Sequence, residues 1–329
     1  MGQLVAVGIG AGLVAALLFG VVAVGSPAGM LLSYLAPLPI LIVALGWHHL
    51  VGLLGVFAGA LAISLALRSG AGLAFALGPA LPAWWLACLT LTGRTVSETG
   101  TVVWTSPGRL LLWTAITGGL VALAAAIGLG GGDHAQFADA LRRATETLLR
   151  SDVALPRQGP GGTIGGISTD LLVRLFVLIT PAVAGAVFTL TLALNLWLGA
   201  KAVSMSGRLP RHWSPVPETR MPGVALALLA SAILVATTAG WAGIAGRALA
   251  GAMTMAFAFQ GLALVHFATR GRPGRGGVLG AAYFLTLVLG HILLPILAIA
   301  GMIDTATPLR HRLTRDGTPR GRNGPPSPN

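Results

Sequence analysis

The sequence predicts an all-α fold: a polytopic transmembrane helical bundle of eight or nine spans, with one surface amphipathic helix. Three observations carry this. Of 329 residues, 55% are hydrophobic and 9% charged, with a mean hydropathy of +0.83, whereas a soluble domain is about 25% charged. Nine apolar runs of 17 residues or more lack acids and nearly lack bases, and such runs reach across about 30 Å of hydrocarbon at about 1.5 Å per residue. Little chain remains between them for a soluble catalytic domain, so no enzyme activity is expected.

The first run, residues 4–24, follows Met-Gly-Gln without a basic segment or a convincing cleavage site, so it is expected to stay as a membrane helix. The second, residues 31–47, is 17 residues long and contains Pro37 and Pro39. Two prolines remove backbone donors, so a broken or re-entrant segment is expected there. Runs 50–67, 72–91 and 110–129 complete an N-terminal membrane block, residues 1–129.

Residues 130–170 form a polar connector. Its first half reads as a surface helix capped by Asp133 with Gln136, with Phe137, Leu141, Ala144 and Leu148 on one face. The charges there balance, which favours packing on the bundle over lipid electrostatics. Gln158-Gly-Pro-Gly-Gly-Thr-Ile-Gly-Gly reads as a flexible linker. A C-terminal block, residues 171–301, holds runs 171–199, 224–244, 248–267 and 278–300. Residues 302–329, basic from Asp304 onward, read as a disordered tail.

Lys and Arg total 21 against 9 acids, with Lys201 the one lysine. The arginines are scattered over short connections instead of forming one basic face, so the expected partner is the lipid bilayer and not nucleic acid. The excess of basic residues in alternate loops does not settle orientation. Arg94, Arg109, Lys201, Arg208, Arg211, Arg220, Arg270, Arg272 and Arg275 fall on one side, and eleven on the other with Arg174 set aside. If residues 31–67 cross only once, as the proline break leads us to expect, the count is eight and both termini lie on the side of the tail, expected to be cytoplasmic. Cys88 stands alone, which excludes a disulfide framework and a cysteine metal site.

All nine acids fall in loops or at span edges, which argues against an intramembrane carboxylate relay and against paired catalytic acids. Gly130-Gly-Gly-Asp133 matches the Gly-x-Gly-Asp string of intramembrane aspartyl proteases, but no second aspartate lies on a neighbouring span, so Asp133 reads as a helix cap. There is no His-Glu-x-x-His, no Gly-x-Ser-x-Gly and no Gly-x-x-x-x-Gly-Lys. No metal or other cofactor is expected.

The polar and aromatic groups within or beside the apolar runs are the candidate ligand-binding residues: His48, Trp84, Trp85, Arg174, Asn195, Gln260, His266 and His291. The competing reading makes Asn195, Gln260, His266 and His291 interhelical hydrogen-bonding groups, Arg174 a snorkelling side chain, and the tryptophans an interfacial belt. Gly8, Gly12 and Ala16 in the first span, and Gly55 and Gly59 in the third, have the spacing that lets helix backbones approach closely.

Three strings carry a resemblance: Leu35-Ala-Pro-Leu-Pro-Ile-Leu-Ile-Val-Ala-Leu-Gly-Trp47, Pro82-Ala-Trp-Trp-Leu86, and Asn195-Leu-Trp-Leu198 followed by Ser206-Gly-Arg-Leu-Pro-Arg-His-Trp213. Over most of residues 1–300 the chain resembles the YybS-like bacterial multi-pass membrane proteins. That family is distantly similar to the substrate-capture subunits, or S components, of energy-coupling-factor transporters, in which six spans are usual. The resemblance implies a subunit of the bacterial inner membrane that binds a small molecule and relies on a separate coupling subunit and ATPase. The alternative is a non-transporting scaffold or assembly factor that docks partners through residues 130–170. A closed polar pocket joining His48, Trp84, Asn195 or His266 favours capture, and a solidly packed bundle favours the scaffold.

Overall fold

A computed structural model describes residues 1–67, 70–95, 101–151, 163–164, 167–307 and 309–310. Helix starts follow local chemistry. Ser26-Pro27 opens α2 (Pro27–Ser33) and Ser106-Pro107 opens α7 (Pro107–Leu129), each serine oxygen accepting from an amide three residues on, Gly29 at 3.0 Å and Arg109 at 3.4 Å. Proline at the first helical position gives up an amide that has no partner there in any case. Ser168 caps α9 (Thr169–Met205) in the same way, through the Leu171 amide at 3.3 Å.

Ahead of α2 lies α1 (Gly2–Gly20). After it come α3 (Pro37–Gly46), α4 (His49–Leu67), and α5 (Ala71–Phe75), which passes through a π turn around Pro79 into α6 (Leu81–Thr90). A short antiparallel hairpin, β1 (Gly93–Thr95) with β2 (Val102–Trp104), leads to α7. Beyond α7 come α8 (His134–Ser151) and the two-residue strands β3 (Thr163–Ile164) and β4 (Ile167–Ser168). Then follow α9, α10 (Val224–Ala236), α11 (Gly240–Ala268), α12 (Arg275–Val288) and α13 (Gly290–Ala306).

Two cores form. One gathers Ile40, Leu41, Phe75 and Leu86 with Leu192 and Leu196 of α9; the other gathers Met253 and Phe257 of α11 with Ala115 of α7, Leu229 of α10 and Leu297 of α13. The connector therefore divides the chain but not the packing. α7 serves the second core, and α9 joins the two.

The break expected at Pro37 and Pro39 separates α2 from α3 at residues 34–36. The carbonyls of Ser33 and Leu35, robbed of their helical donors by the two prolines, accept instead from Ala36 and Leu38 at 3.1 and 3.0 Å. α1 lies along α4 at the expected glycines: a Cβ on Gly12 would collide with the Gly55 carbonyl, one on Gly8 with that of Val51, and one on Gly59 with the Phe75 ring. The glycine spacing is thus used within the chain.

Two apolar runs are divided differently from the expectation. Run 224–244 ends early: α10 stops at Ala236, Gly240 takes a left-handed φ of 72°, and α11 then runs unbroken for 29 residues. Run 278–300 is not one crossing, because Leu289 (φ −113°, ψ 32°) separates α12 from α13. α12 leaves from the end of α11, and α13 finishes at that same end: Arg310 lies 5.4 Å from the Phe267 ring and donates to Thr219 at 2.7 Å. Seven helical segments among the described residues are long and apolar enough to cross a membrane. Two of them, Pro27–Gly46 and His49–Leu67, make residues 31–67 two crossings and not the single one expected, because the proline break leaves α2 and α3 end to end in one span. The shorter α10 returns along α11, so among the described residues the chain passes between the two ends eight times before α12.

α8 docks on the bundle as expected. Phe137 is buried and packs with its ring centroid 5.9 Å from Trp241, whose Nε1 donates to Gly132 at 3.1 Å. Asp133 accepts from the Ala135 amide at 2.8 Å; Ala144 is exposed and Thr145 takes its place on the buried face. The Leu148 side chain, and the linker apart from its Thr163–Ile164 pairing, lie outside the described residues. The tail does not begin at 302 or 304: α13 continues to Ala306 and Asp304 is fully buried. Residues 311–329 lie outside the described residues.

Candidate functional site

The candidate residues separate into local groups. His48 and His49 stack at 4.1 Å on the α3–α4 turn, His48 Nδ1 accepts from the Leu50 amide at 3.2 Å, and Trp84 Nε1 donates to the His49 carbonyl at 2.9 Å. Trp85 turns away, meeting Trp113 edge to face at 6.4 Å. Asn195 Nδ2 donates to the carbonyls of Tyr34 and Thr191, each at 2.8 Å, in the other direction from the histidines along α3. Neither of the two openings described below is lined by His48, Trp84, Asn195 or His266.

Gln260 is fully buried and fully engaged. Its Oε1 accepts from the Met221 amide at 2.9 Å, while Nε2 faces Gly301 O at 3.1 Å, Asp304 Oδ2 at 2.8 Å and Thr305 Oγ1 at 2.9 Å. Asp304 also pairs with Arg310 Nη2 at 2.7 Å. One of the nine acids therefore lies inside the bundle, contrary to the expectation, but as a clamp between α11, α13 and the chain that follows. His266 Nε2 meets Tyr283 Oη at 2.9 Å and so holds α12 to α11, while His291 is exposed beside the Leu289 break. Arg174 lies exposed near the start of α9, at the other end of the bundle.

An apolar opening lies elsewhere. A cavity of about 360 Å³ sits between α7, α9 and α11, at the end of the bundle that carries the β1–β2 hairpin. Leu110 and Leu111 of α7, Trp197 of α9, and Phe259 and Leu262 of α11 make its apolar walls; Tyr283 of α12 borders it. Its polar wall comes from the 206–223 loop through Arg211, Ser214 and Thr219.

Arg211 is the chemically distinctive group there. Only 7% exposed, it donates through Nη1 to the carbonyls of Thr90 and Thr105, each at 3.0 Å, and its guanidinium lies 5.9 and 5.8 Å from the rings of Trp104 and Trp213. It thereby ties the C-terminus of α6 to the hairpin. Its Nε is buried without a partner. Burial lowers its pKa from the ordinary arginine value, yet a guanidinium stays charged at neutral pH. An apolar chamber of a few hundred Å³ with one charged group in its wall is the general form of a small-molecule site. Sequence reasoning singled out neither Arg211 nor the cavity. The one signal was the Ser206–Trp213 string, polar residues and a tryptophan between two spans.

The family model described as "Predicted membrane protein (DUF2232)" matches residues 13–305. The chain belongs to that family. No curated protein and no solved structure matches it. The match begins within α1, takes in every later crossing, the cavity and Asp304, and stops one residue short of the end of α13. This DUF2232 chain is a polytopic membrane protein built as an α-helical bundle.

Proposed function

We propose that this DUF2232 protein is a membrane-embedded binding subunit, similar in role to an S component, that captures a small, partly apolar molecule for transport energised by a separate ATPase. One observation carries the reading: the cavity between α7, α9 and α11 combines apolar walls with the buried Arg211 guanidinium. Such a chamber suits a molecule with an apolar body and an anionic or hydrogen-bonding head. Arg211 would hold the head, and Trp197, Phe259 and Leu262 the body. A subunit driven by another protein's ATP hydrolysis requires neither a phosphate-cradling motif nor an intramembrane relay, in keeping with the sequence.

A scaffold role is the second reading, supported by the engagement of Asn195, Gln260 and His266 in contacts within the chain. Thermal unfolding of the purified protein across a panel of vitamins and anionic amphipathic metabolites separates the two. A ligand at 100 times its dissociation constant adds about 2.7 kcal/mol of stability, so capture predicts a clear rise in melting temperature for at least one chemical class. A flat response across the panel favours the scaffold.

A further inference from the structure

A second charged recess lies at the opposite end of the bundle from the cavity. Arg142 of α8, Arg174 of α9 and Arg247 of α11 line one opening of about 200 Å³, whose apolar border includes Val173 and Leu178. Arg247 is half-buried among the helices. Its Nη1 donates to the Ala236 carbonyl, where α10 ends, at 3.2 Å, and its Nε is buried with no partner. Among the described residues none of the three arginines forms an ion pair with a carboxylate.

Three arginines from three helices converge on this one recess. An anion that offers several acceptor oxygens suits such a set of donors, and a phosphate group does this best. The placement selects its source. Arg174 and Arg247 each stand within about two turns of a helix start, at the level where a membrane passes from hydrocarbon to headgroups. Immediately along α9, Leu175, Leu178 and Ile179 expose 44%, 50% and 47% of their surface. A charged recess bordered by an open apolar helix face matches a molecule with a phosphate head and hydrocarbon tails. Snorkelling accounts for Arg174 alone, but not for its meeting with Arg142 and Arg247 at one recess.

The geometry points to a binding site for the phosphate of an anionic phospholipid, held by Arg142, Arg174 and Arg247 with its acyl chains along α9. The test uses the full chain in nanodiscs of phosphatidylcholine, with or without phosphatidylglycerol, and reads both melting temperature and the phosphatidylglycerol retained in native mass spectra. Phosphatidylglycerol stabilises the wild type. Arg142→Gln with Arg174→Gln lowers its retention about tenfold, equivalent to one charged hydrogen bond, while melting in pure phosphatidylcholine stays at the wild-type value. Arg143→Gln, a change at an exposed neighbour outside the recess, retains the lipid. Equal retention by the double variant overturns the site. If inorganic phosphate stabilises the wild type and phosphatidylglycerol adds nothing, the occupant is a soluble anion and the lipid assignment fails.

Discussion

Asn195 in α9 donates its side-chain amide to the Tyr34 carbonyl, 161 residues away in sequence, at 2.8 Å. The Tyr34 carbonyl is free because Leu38, its helical donor, bonds to Leu35 instead. Asn195 thus completes the accounting of the Pro37 and Pro39 break. In an apolar bundle a carbonyl left bare costs free energy, so an intramembrane asparagine placed beside a proline kink acts as a repair.

Asn195→Ala should therefore lower folding stability by about 1–3 kcal/mol and leave cavity occupancy unchanged. Thermal unfolding together with ligand titration checks both halves. A variant that melts normally and binds weakly would return Asn195 to the ligand site.

The contact between α1 and α4 is set by backbone proximity, so Gly12→Leu or Gly55→Leu meets main-chain atoms that cannot rotate aside. The cost should exceed the roughly 1–3 kcal/mol of ordinary overpacking. Gly10 faces open space, and Gly10→Leu should be tolerated. Size-exclusion profiles of the three variants decide it. A coupling subunit, if one binds, must use a face other than this glycine seam.

Asp304 is fully buried and its ion-pair partner Arg310 is 12% exposed. Removing one member of a buried pair costs about 3–5 kcal/mol, so Asp304→Ala and Arg310→Ala should each destabilise strongly. The double variant should lose less than the two losses together. Additive losses in a double-mutant cycle would show that the pair is not coupled.

Returning α12 and α13 to the end they left settles the orientation that alternate loops leave open. Ten of the 15 basic residues among the described residues then belong to one side: Arg94, Arg109, Lys201, Arg208, Arg211, Arg220, Arg270, Arg272, Arg275 and Arg310. The excess of basic residues on cytoplasmic faces predicts that this side is the cytoplasmic one. Reporters fused before Met1 and after Arg310 should both read cytoplasmic, and a cysteine placed at Thr237 in a Cys88→Ser background should label from outside. A non-cytoplasmic signal from the Arg310 fusion would mean that residues 275–306 cross after all.

Hydropathy made most of this bundle legible, because membrane helices announce themselves by length and by missing charge. It also found the α2–α3 break, since proline removes a donor wherever it sits. It missed the break at Leu289, where no proline or charge interrupts the run and only Gly290-His291 hinted at a turn. It equally merged the end of α10 with the start of α11, because Thr237, Thr238 and Ala239 are not polar enough to register. The site was less legible still. Gln260, Asn195 and His266 looked available because their partners, Asp304, Tyr34 and Tyr283, lie far along the chain or across a turn. Arg211 looked like one more loop arginine, because its burial under Trp104 and Trp213 arises from tertiary packing alone.

The central claim is that the cavity between α7, α9 and α11 receives a small molecule. The most direct measurement is equilibrium titration of the strongest stabilising ligand against wild type, Leu262→Trp and Asn195→Ala. Leu262→Trp narrows the chamber at its wall and should weaken binding at least about tenfold, or about 1.4 kcal/mol, with an unchanged melting temperature. Asn195→Ala should melt lower and bind as wild type. Wild-type affinity in Leu262→Trp would place the ligand elsewhere and contradict the account.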